Sequence, residues 1–176
     1  MSENNKISND IGYKGSVELK LTKGKRVLKK IKINNYGTIN LFHGLAICLT
    51  QQFPSASTYL PNFIGVGTSN DIPENFVKVT HLQSEILSRT QLTNAAINIS
   101  ELTIGETKKQ GYSVKFIGSY PFRKKISSKI KEIGLFSTVI GESMLARITL
   151  NDNESIAPEV GDTLIIEWTM FIGNIE

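Results

Sequence analysis

Cysteine and histidine are scarce in this chain. Cys48 is the single cysteine among 176 residues, and His43 and His81 are the two histidines. One cysteine excludes an internal disulfide framework and a cysteine-based metal cluster, and Cys48 lies in an apolar run typical of a buried free thiol. Neither histidine is part of a His-Glu-x-x-His pattern. We therefore predict no metal site and no cofactor.

Long apolar runs are missing as well. No stretch approaches the roughly 20 apolar residues that span a bilayer. Residues 1–10 are polar and lack the apolar segment that a signal peptide requires. We expect the protein to be made in a reducing cytoplasm and not to associate with a membrane.

Sequence signatures of catalysis are also missing. Gly141-Glu-Ser143 does not complete the Gly-x-Ser-x-Gly turn of a hydrolase. Gly65-Val-Gly67 lacks the third glycine of a dinucleotide-binding loop. We predict no catalytic residues and a protein that is not an enzyme.

The clearest pattern present is a stripe of alternating apolar residues near the end of the chain. Leu164, Ile166, Trp168, Met170 and Ile172 are spaced by two residues. Successive strand side chains point to opposite faces, so this spacing predicts a strand that lays one apolar face on a core. Trp168 is a predicted core residue, and Phe136 is another, from the apolar segment 130–136.

One amphipathic helix is predicted at about 38–53. Apolar residues recur there at three- and four-residue steps, Thr38 can cap the start, and Pro54 ends the pattern. Phe42 and Leu49 would face the core from this helix.

The remaining segments predict short strands at roughly ten-residue intervals. This spacing favours a mainly β fold, an antiparallel β-sandwich or jelly-roll-like domain with one helix. Residues 1–14 are expected to be a flexible N-terminal arm, and 15–176 a single β-rich domain. The pattern also predicts a turn at 108–111.

One acidic residue breaks the apolar pattern of the predicted strand at 130–136. Regular alternation would turn Glu132 toward apolar neighbours, which is costly unless the carboxylate is paired. Arg147 lies in the next predicted strand, so a Glu132–Arg147 cross-strand pair is one hypothesis. The alternative is a bulge at Lys131 or Gly134 that rotates Glu132 outward.

Lysines cluster in two stretches, 23–32 and 123–131. They could contact phosphates, but aromatic residues that would stack on bases are not interleaved with the first cluster. A solvated sheet face or protective edge lysines explain both clusters more simply. An acidic protein is a third interpretation, and nucleic acid is not the favoured partner.

Several short motifs together resemble a known class of protein. They are Lys131-Glu-Ile-Gly-Leu-Phe136, Met144-Leu-Ala-Arg147, Leu164-Ile-Ile-Glu-Trp168-Thr, the run 35–42 and the run 63–68. The first three, in that order, resemble small bacteriophage virion structural proteins with a compact β-domain, and the last two resemble the N-terminal halves of such proteins. The resemblance covers most of residues 15–172.

The resemblance implies a non-enzymatic virion component. It would be an auxiliary capsid or decoration protein, or a head–tail, tail or fibre-attachment subunit, oligomeric in the assembly and in contact with other virion proteins. The chain has no long shaft-like region after the domain, which disfavours a fibre. Candidate assembly contacts lie in segments 2–13, 53–59 and 76–93: Ile7, Tyr13, Phe53, Tyr59, Phe76 and Leu87.

A carbohydrate- or host-surface-binding β-module is the alternative function. Aromatic residues would stack on sugars in such a module. The available ones are Tyr13, Tyr36, Tyr59, Tyr112, Tyr120 and Trp168. Trp168 lies in an apolar stripe, which argues against its use as a binding residue.

Overall fold

The structure is a computed structural model that describes residues 11–37, 40–41, 60–71, 79–104 and 107–174. For residues 11–14, 35–36, 94–104, 107–110 and 172–174 it describes the backbone alone. Within these ranges no helix has the length and apolar character needed to cross a bilayer.

Eight antiparallel strands make up the described part of the fold. They differ in length, since five have 12 to 15 residues and three have 5 or 6. In chain order they are β1 Ile11–Lys23, β2 Arg26–Gly37, β3 Phe63–Gly67, β4 Thr90–Ile104, β5 Thr107–Pro121, β6 Glu132–Phe136, β7 Met144–Thr149 and β8 Asp162–Asn174.

The strands close into a barrel in the order β1-β2-β7-β6-β3-β4-β5-β8. Two short ladders complete the circuit: β2 pairs with β7 through Tyr36–Arg147 and Gly37–Ala146, and β3 pairs with β4 through residues 63–64 and 90–91. The prediction of a mainly β fold is confirmed. The sandwich or jelly roll is not, because the strands hydrogen-bond in one closed sheet.

The core fills the inside of this barrel. Trp168 on β8 has no exposed surface and lies opposite Val17 of β1 and Phe116 of β5, as the strand registers require. Leu164, Ile166 and Met170 point the same way, so the alternation read from the sequence is the inward face of β8. Burying side chains of this size contributes roughly 1.5 to 3 kcal/mol each.

The predicted helix at about 38–53 lies almost entirely outside the described residues. Asn40 and Leu41 have helical backbone, and Leu41 is buried in the main core. Phe42 and Leu49 fall outside the described ranges. β1 begins at Ile11, within the predicted arm of residues 1–14.

The predicted turn at 108–111 is wrong. β5 runs without interruption from Thr107 to Pro121, and Lys108 pairs with Thr103 of β4. Polar residues and Gly111 suggested a turn, but a long two-stranded ladder with β4 satisfies their backbone groups instead. Pro121 does end β5, because proline cannot donate to a ladder.

Alternating charges cross the outer face of β2, β1, β8 and β5. Lys30 and Lys20 contact the Glu18 carboxylate at 3.0 and 2.8 Å, and Lys20 and Lys115 contact Glu167 at 2.5 and 3.2 Å. Of the first lysine cluster, Lys30 is therefore paired on the sheet surface, which is consistent with the solvated-face interpretation for that residue.

These contacts make stability depend on pH. Hydrogen bonds from Lys20 and then Lys30 lower the pKa of Glu18 from 4.5 to about 2. Lys20 is also the main cause of the lowered pKa of Glu167. A carboxyl group whose pKa is lower in the folded state stabilises that state above its ordinary pKa and loses this effect as the pH falls.

We expect the Glu18→Gln variant to be less stable than the native protein at pH 6 and to lose less stability between pH 4.5 and 2. Urea unfolding across this pH range would measure both effects. Glu159→Gln is the control, because the Glu159 side chain is 78% exposed and makes one contact with Lys23 at 3.3 Å. Equal pH profiles for Glu18→Gln and the native protein would contradict the prediction.

Candidate functional site

A strap of residues 79–89 crosses the outer face of β7, β6 and β3. The Thr80 carbonyl accepts a hydrogen bond from the Met144 amide of β7 at 3.0 Å. The backbone of Glu85 forms an isolated antiparallel β-bridge with Gly67 of β3. Beneath the strap lies a second small apolar cluster of Leu82, Phe136 and Met144. The outside of this part of the barrel is therefore a buried layer.

Glu132 and Arg147 meet at the centre of this layer, and neither side chain has exposed surface. The Glu132 Oε2 atom accepts from Arg147 Nη2 at 2.7 Å and from Nε at 3.1 Å. The register explains the contact, because Glu132 lies opposite Thr149 and Arg147 opposite Gly134, one diagonal step away. Glu132 faces outward from the barrel but is covered by the strap.

The same carboxylate holds the strap in place. The amides of Gln83 and Ser84 donate to its two oxygens at 3.1 and 2.7 Å. Arg147 Nη1 donates to the Asp71 carbonyl at 3.1 Å, which fixes the loop after β3. One buried ion pair thus ties two connections to the barrel wall, and these added hydrogen bonds offset the cost of removing the charges from water.

A second ion pair anchors the end of the strap. Arg89 donates to both oxygens of Glu85, from Nε at 2.9 Å and from Nη2 at 3.1 Å, which is a bidentate pair. Its guanidinium carbon lies 3.5 Å from the centre of the Phe136 ring, so a cation–π contact adds to the anchor.

Three glycines make room for this layer. A Cβ atom on Gly67 would lie 2.6 Å from the Ser84 carbonyl oxygen and even closer to the Glu132 carboxylate. One on Gly65 would lie 2.9 Å from both Glu85 and Phe136, and one on Gly134 would lie 2.7 Å from Phe136. Glycine within a strand often marks such a close approach.

Arg89 also connects the layer to the β6–β7 loop, residues 137–143. Its Nη1 donates to the Thr138 carbonyl at 3.1 Å and to Ser143 Oγ at 3.2 Å. Thr138 and Ser143 share a hydroxyl contact of 2.6 Å across the loop. The loop is therefore fixed from within while it exposes Val139 at 50% and Ile140 at 77%.

The buried Glu132–Arg147 pair has a structural role, because it ties the strap and the loop after β3 to the barrel. With no exposed atoms, Glu132 and Arg147 cannot touch a substrate in this structure. Across the described ranges, no three His, Cys, Asp or Glu side chains group in a way that could hold a metal ion. Arg89 holds the β6–β7 loop, and this loop exposes Val139 and Ile140 to solvent.

The structure brings some of the predicted site residues together and separates others. Glu132 and Arg147 form the pair that one hypothesis described, and Phe136 and Trp168 are both fully buried. Leu87 is half-buried and packs against the main core, and its role as an assembly contact stays a prediction. Tyr13 is described by its backbone alone, and Ile7, Phe53, Tyr59 and Phe76 lie outside the described residues.

The aromatic residues proposed for sugar stacking are mostly unavailable where they are described. Trp168 and Tyr120 are buried in the barrel, and the Tyr120 hydroxyl donates to the Ser88 carbonyl. Burial raises the pKa of Tyr120, so the phenol stays protonated and able to donate. Tyr112 is 59% exposed.

Sequence reasoning missed the Glu85–Arg89 pair and the display of Val139 and Ile140. The four-residue spacing of Glu85 and Arg89 is a usual signal for an ion pair, but on a helix. Here the pair forms in an irregular segment, so the spacing could not be interpreted without the fold.

Comparisons with known proteins leave the function to be argued from this geometry. No protein-family model, curated protein or solved structure matches the chain.

Proposed function

We propose that the protein is a non-enzymatic structural subunit of a bacteriophage virion that acts through protein–protein contacts. Its place would be on the capsid, as an auxiliary or decoration protein, or at the head–tail junction or tail. The order of short motifs in the sequence supports the virion assignment. One structural observation supports the mode of action: a fixed loop that displays two large apolar side chains.

The β6–β7 loop has the properties of an assembly contact. Val139 and Ile140 form an exposed apolar pair, while the hydrogen bonds of Thr138, Ser143 and Arg89 hold the loop below them. A loop that is already ordered loses little conformational entropy on binding, so more of its contact energy appears as affinity. Its partner would be an apolar pocket on an adjacent subunit.

We expect the Val139→Asp/Ile140→Asp variant to lose self-association without losing stability, because both side chains are largely exposed. Light scattering after size exclusion would give the mass, and thermal unfolding would give the stability. Val160→Asp is a matched control, since Val160 is 54% exposed on the loop before β8. Equal masses for the native protein and the Val139→Asp/Ile140→Asp variant would contradict the role of this loop.

The virion assignment needs a separate test. An antibody raised against the recombinant protein should detect it in phage particles banded from a lysate of its natural source, in a stoichiometric copy number. A native oligomer of six or twelve subunits would favour a tail or connector position, and a trimer would favour a fibre base or a capsid decoration. Particles that lack the protein would refute the assignment.

A further inference from the structure

The barrel brings the two lysine clusters to the same end. Lys23, at the end of β1, pairs with Arg26 of β2 and with Asp162 of β8. The Asp162 carbonyl then accepts from the Phe122 amide at 2.9 Å, and Arg123 follows. Clusters almost 100 residues apart in the sequence thus become neighbours, which we call the basic end: residues 23–29, 122–131 and 150–162.

The basic end carries more positive charge than the whole chain. Its three segments contain nine lysines and arginines and four carboxylates, an excess of five, against a net charge of +4 for the complete sequence. Two of the carboxylates are paired within it, Asp152 with Lys131 at 2.7 Å and Glu159 with Lys23 at 3.3 Å. Within the described ranges, five exposed cations there have no ion-pair partner: Lys25, Arg26, Arg123, Lys124 and Lys125. A sixth, Lys129, interacts electrostatically with Asp152.

We propose that the basic end binds duplex nucleic acid through its phosphate backbone. Adjacent strands lie about 5 Å apart, so the row from Phe122 through Asp162 and Lys23 to Arg26 extends over about 15 Å. That length of duplex carries about nine phosphate charges. Arg26 and Arg123, near the two ends of the row, can each bind a phosphate through two hydrogen bonds.

The buried aromatic residue of this end favours contacts with the backbone of a duplex over stacking on a single strand. Phe122 is 3% exposed and stacks on Tyr120 at 6.0 Å, so it cannot stack on the bases of a single strand.

The inference is tested by fluorescence anisotropy with a labelled mixed-sequence duplex of about 25 base pairs, from about 50 to 200 mM salt. Binding should weaken as salt rises, with a slope of log affinity against log salt of about −4.5 to −5.5 if five or six cations contact phosphates. The Lys25→Glu/Arg26→Glu and Lys124→Glu/Lys125→Glu variants should each bind more weakly by tenfold or more and reduce the slope by about 2.

The control reverses the same number of charges elsewhere. Lys108 and Lys109 lie at the start of β5, at the opposite end of the barrel from Pro121 and the basic end. Lys108→Glu/Lys109→Glu should therefore affect binding much less than either test variant. Thermal unfolding would verify that all variants are folded.

Three results would overturn the proposal. The first is that the protein does not bind the duplex at about 50 mM salt. The second is that the control and test variants lose equal affinity for the duplex. The third is that the protein binds phosphatidylserine vesicles but not the duplex. The last result would assign the basic end to anionic membrane surfaces. The inference rests on charge and topology, so its outcome is independent of the assembly role of the β6–β7 loop.

Discussion

Replacing Arg147 with methionine is expected to lower the free energy of unfolding by about 3 to 5 kcal/mol, because it leaves a fully buried carboxylate without its counter-charge. Methionine retains much of the arginine volume, so lost packing contributes little. The Glu132 carboxylate would keep its bonds from Gln83 and Ser84, but these two neutral donors cannot replace a guanidinium. Urea unfolding at neutral pH would measure the change.

A double-mutant cycle distinguishes the pair from independent contributions of the two residues. Glu132→Gln alone leaves a buried guanidinium facing an amide, so it should also be strongly destabilising. The double variant should cost less than the sum of the two single variants, with a coupling energy of about 2 kcal/mol. Additive costs would show that the two side chains do not stabilise the fold as a pair.

An exposed ion pair supplies the control. Lys23 and Glu159 have side chains that are 53% and 78% exposed and lie 3.3 Å apart. Lys23→Met should cost less than about 1 kcal/mol, because water and salt screen such a pair. A loss as large as that of Arg147→Met would mean that removal of a cation is costly anywhere on the barrel, and burial would not be the cause.

The sequence predicted the parts of the fold that depend on local alternation. The inward face of β8 and the burial of Phe136 and Trp168 follow from side chains two residues apart, which strand geometry places on one face. The closure of the sheet does not follow from local patterns. It depends on pairings such as Tyr36 with Arg147, over 100 residues apart, which alternation alone cannot encode.

The candidate site shows the same division. Glu132 was noticeable because a carboxylate in an apolar strand needs a partner, and Arg147 was a candidate because it lies in the next predicted strand. The strap was not predictable, because its contacts join an irregular segment to the outside of three strands. The basic end was not predictable for a related reason. Each lysine cluster alone resembles an ordinary solvated surface, and only the barrel topology places the two clusters side by side.

Replacing Gly67 with alanine is expected to be the second strongly destabilising change, by about 3 kcal/mol from overpacking and weakened hydrogen bonds to the carboxylate. The new Cβ atom would collide with the Glu132 carboxylate and would lie 2.6 Å from the Ser84 carbonyl oxygen. Neither group can move freely, since Arg147 holds the first and the strap backbone contains the second. The backbone at Gly67 needs no positive φ, so the cost is steric.

The loss should begin in the strap. Hydrogen exchange should show faster exchange of the Gln83 and Ser84 amides in Gly67→Ala, because these amides donate to the displaced carboxylate. Gly118→Ala is the matched control: its Cβ atom would meet the end of the Ile64 side chain at 2.5 Å, which a rotation within the core can relieve. That variant should lose less stability and keep both amides protected. If both variants exposed the strap equally, its attachment would depend on general barrel stability and not on the close approach of Gly67, Glu132 and Ser84.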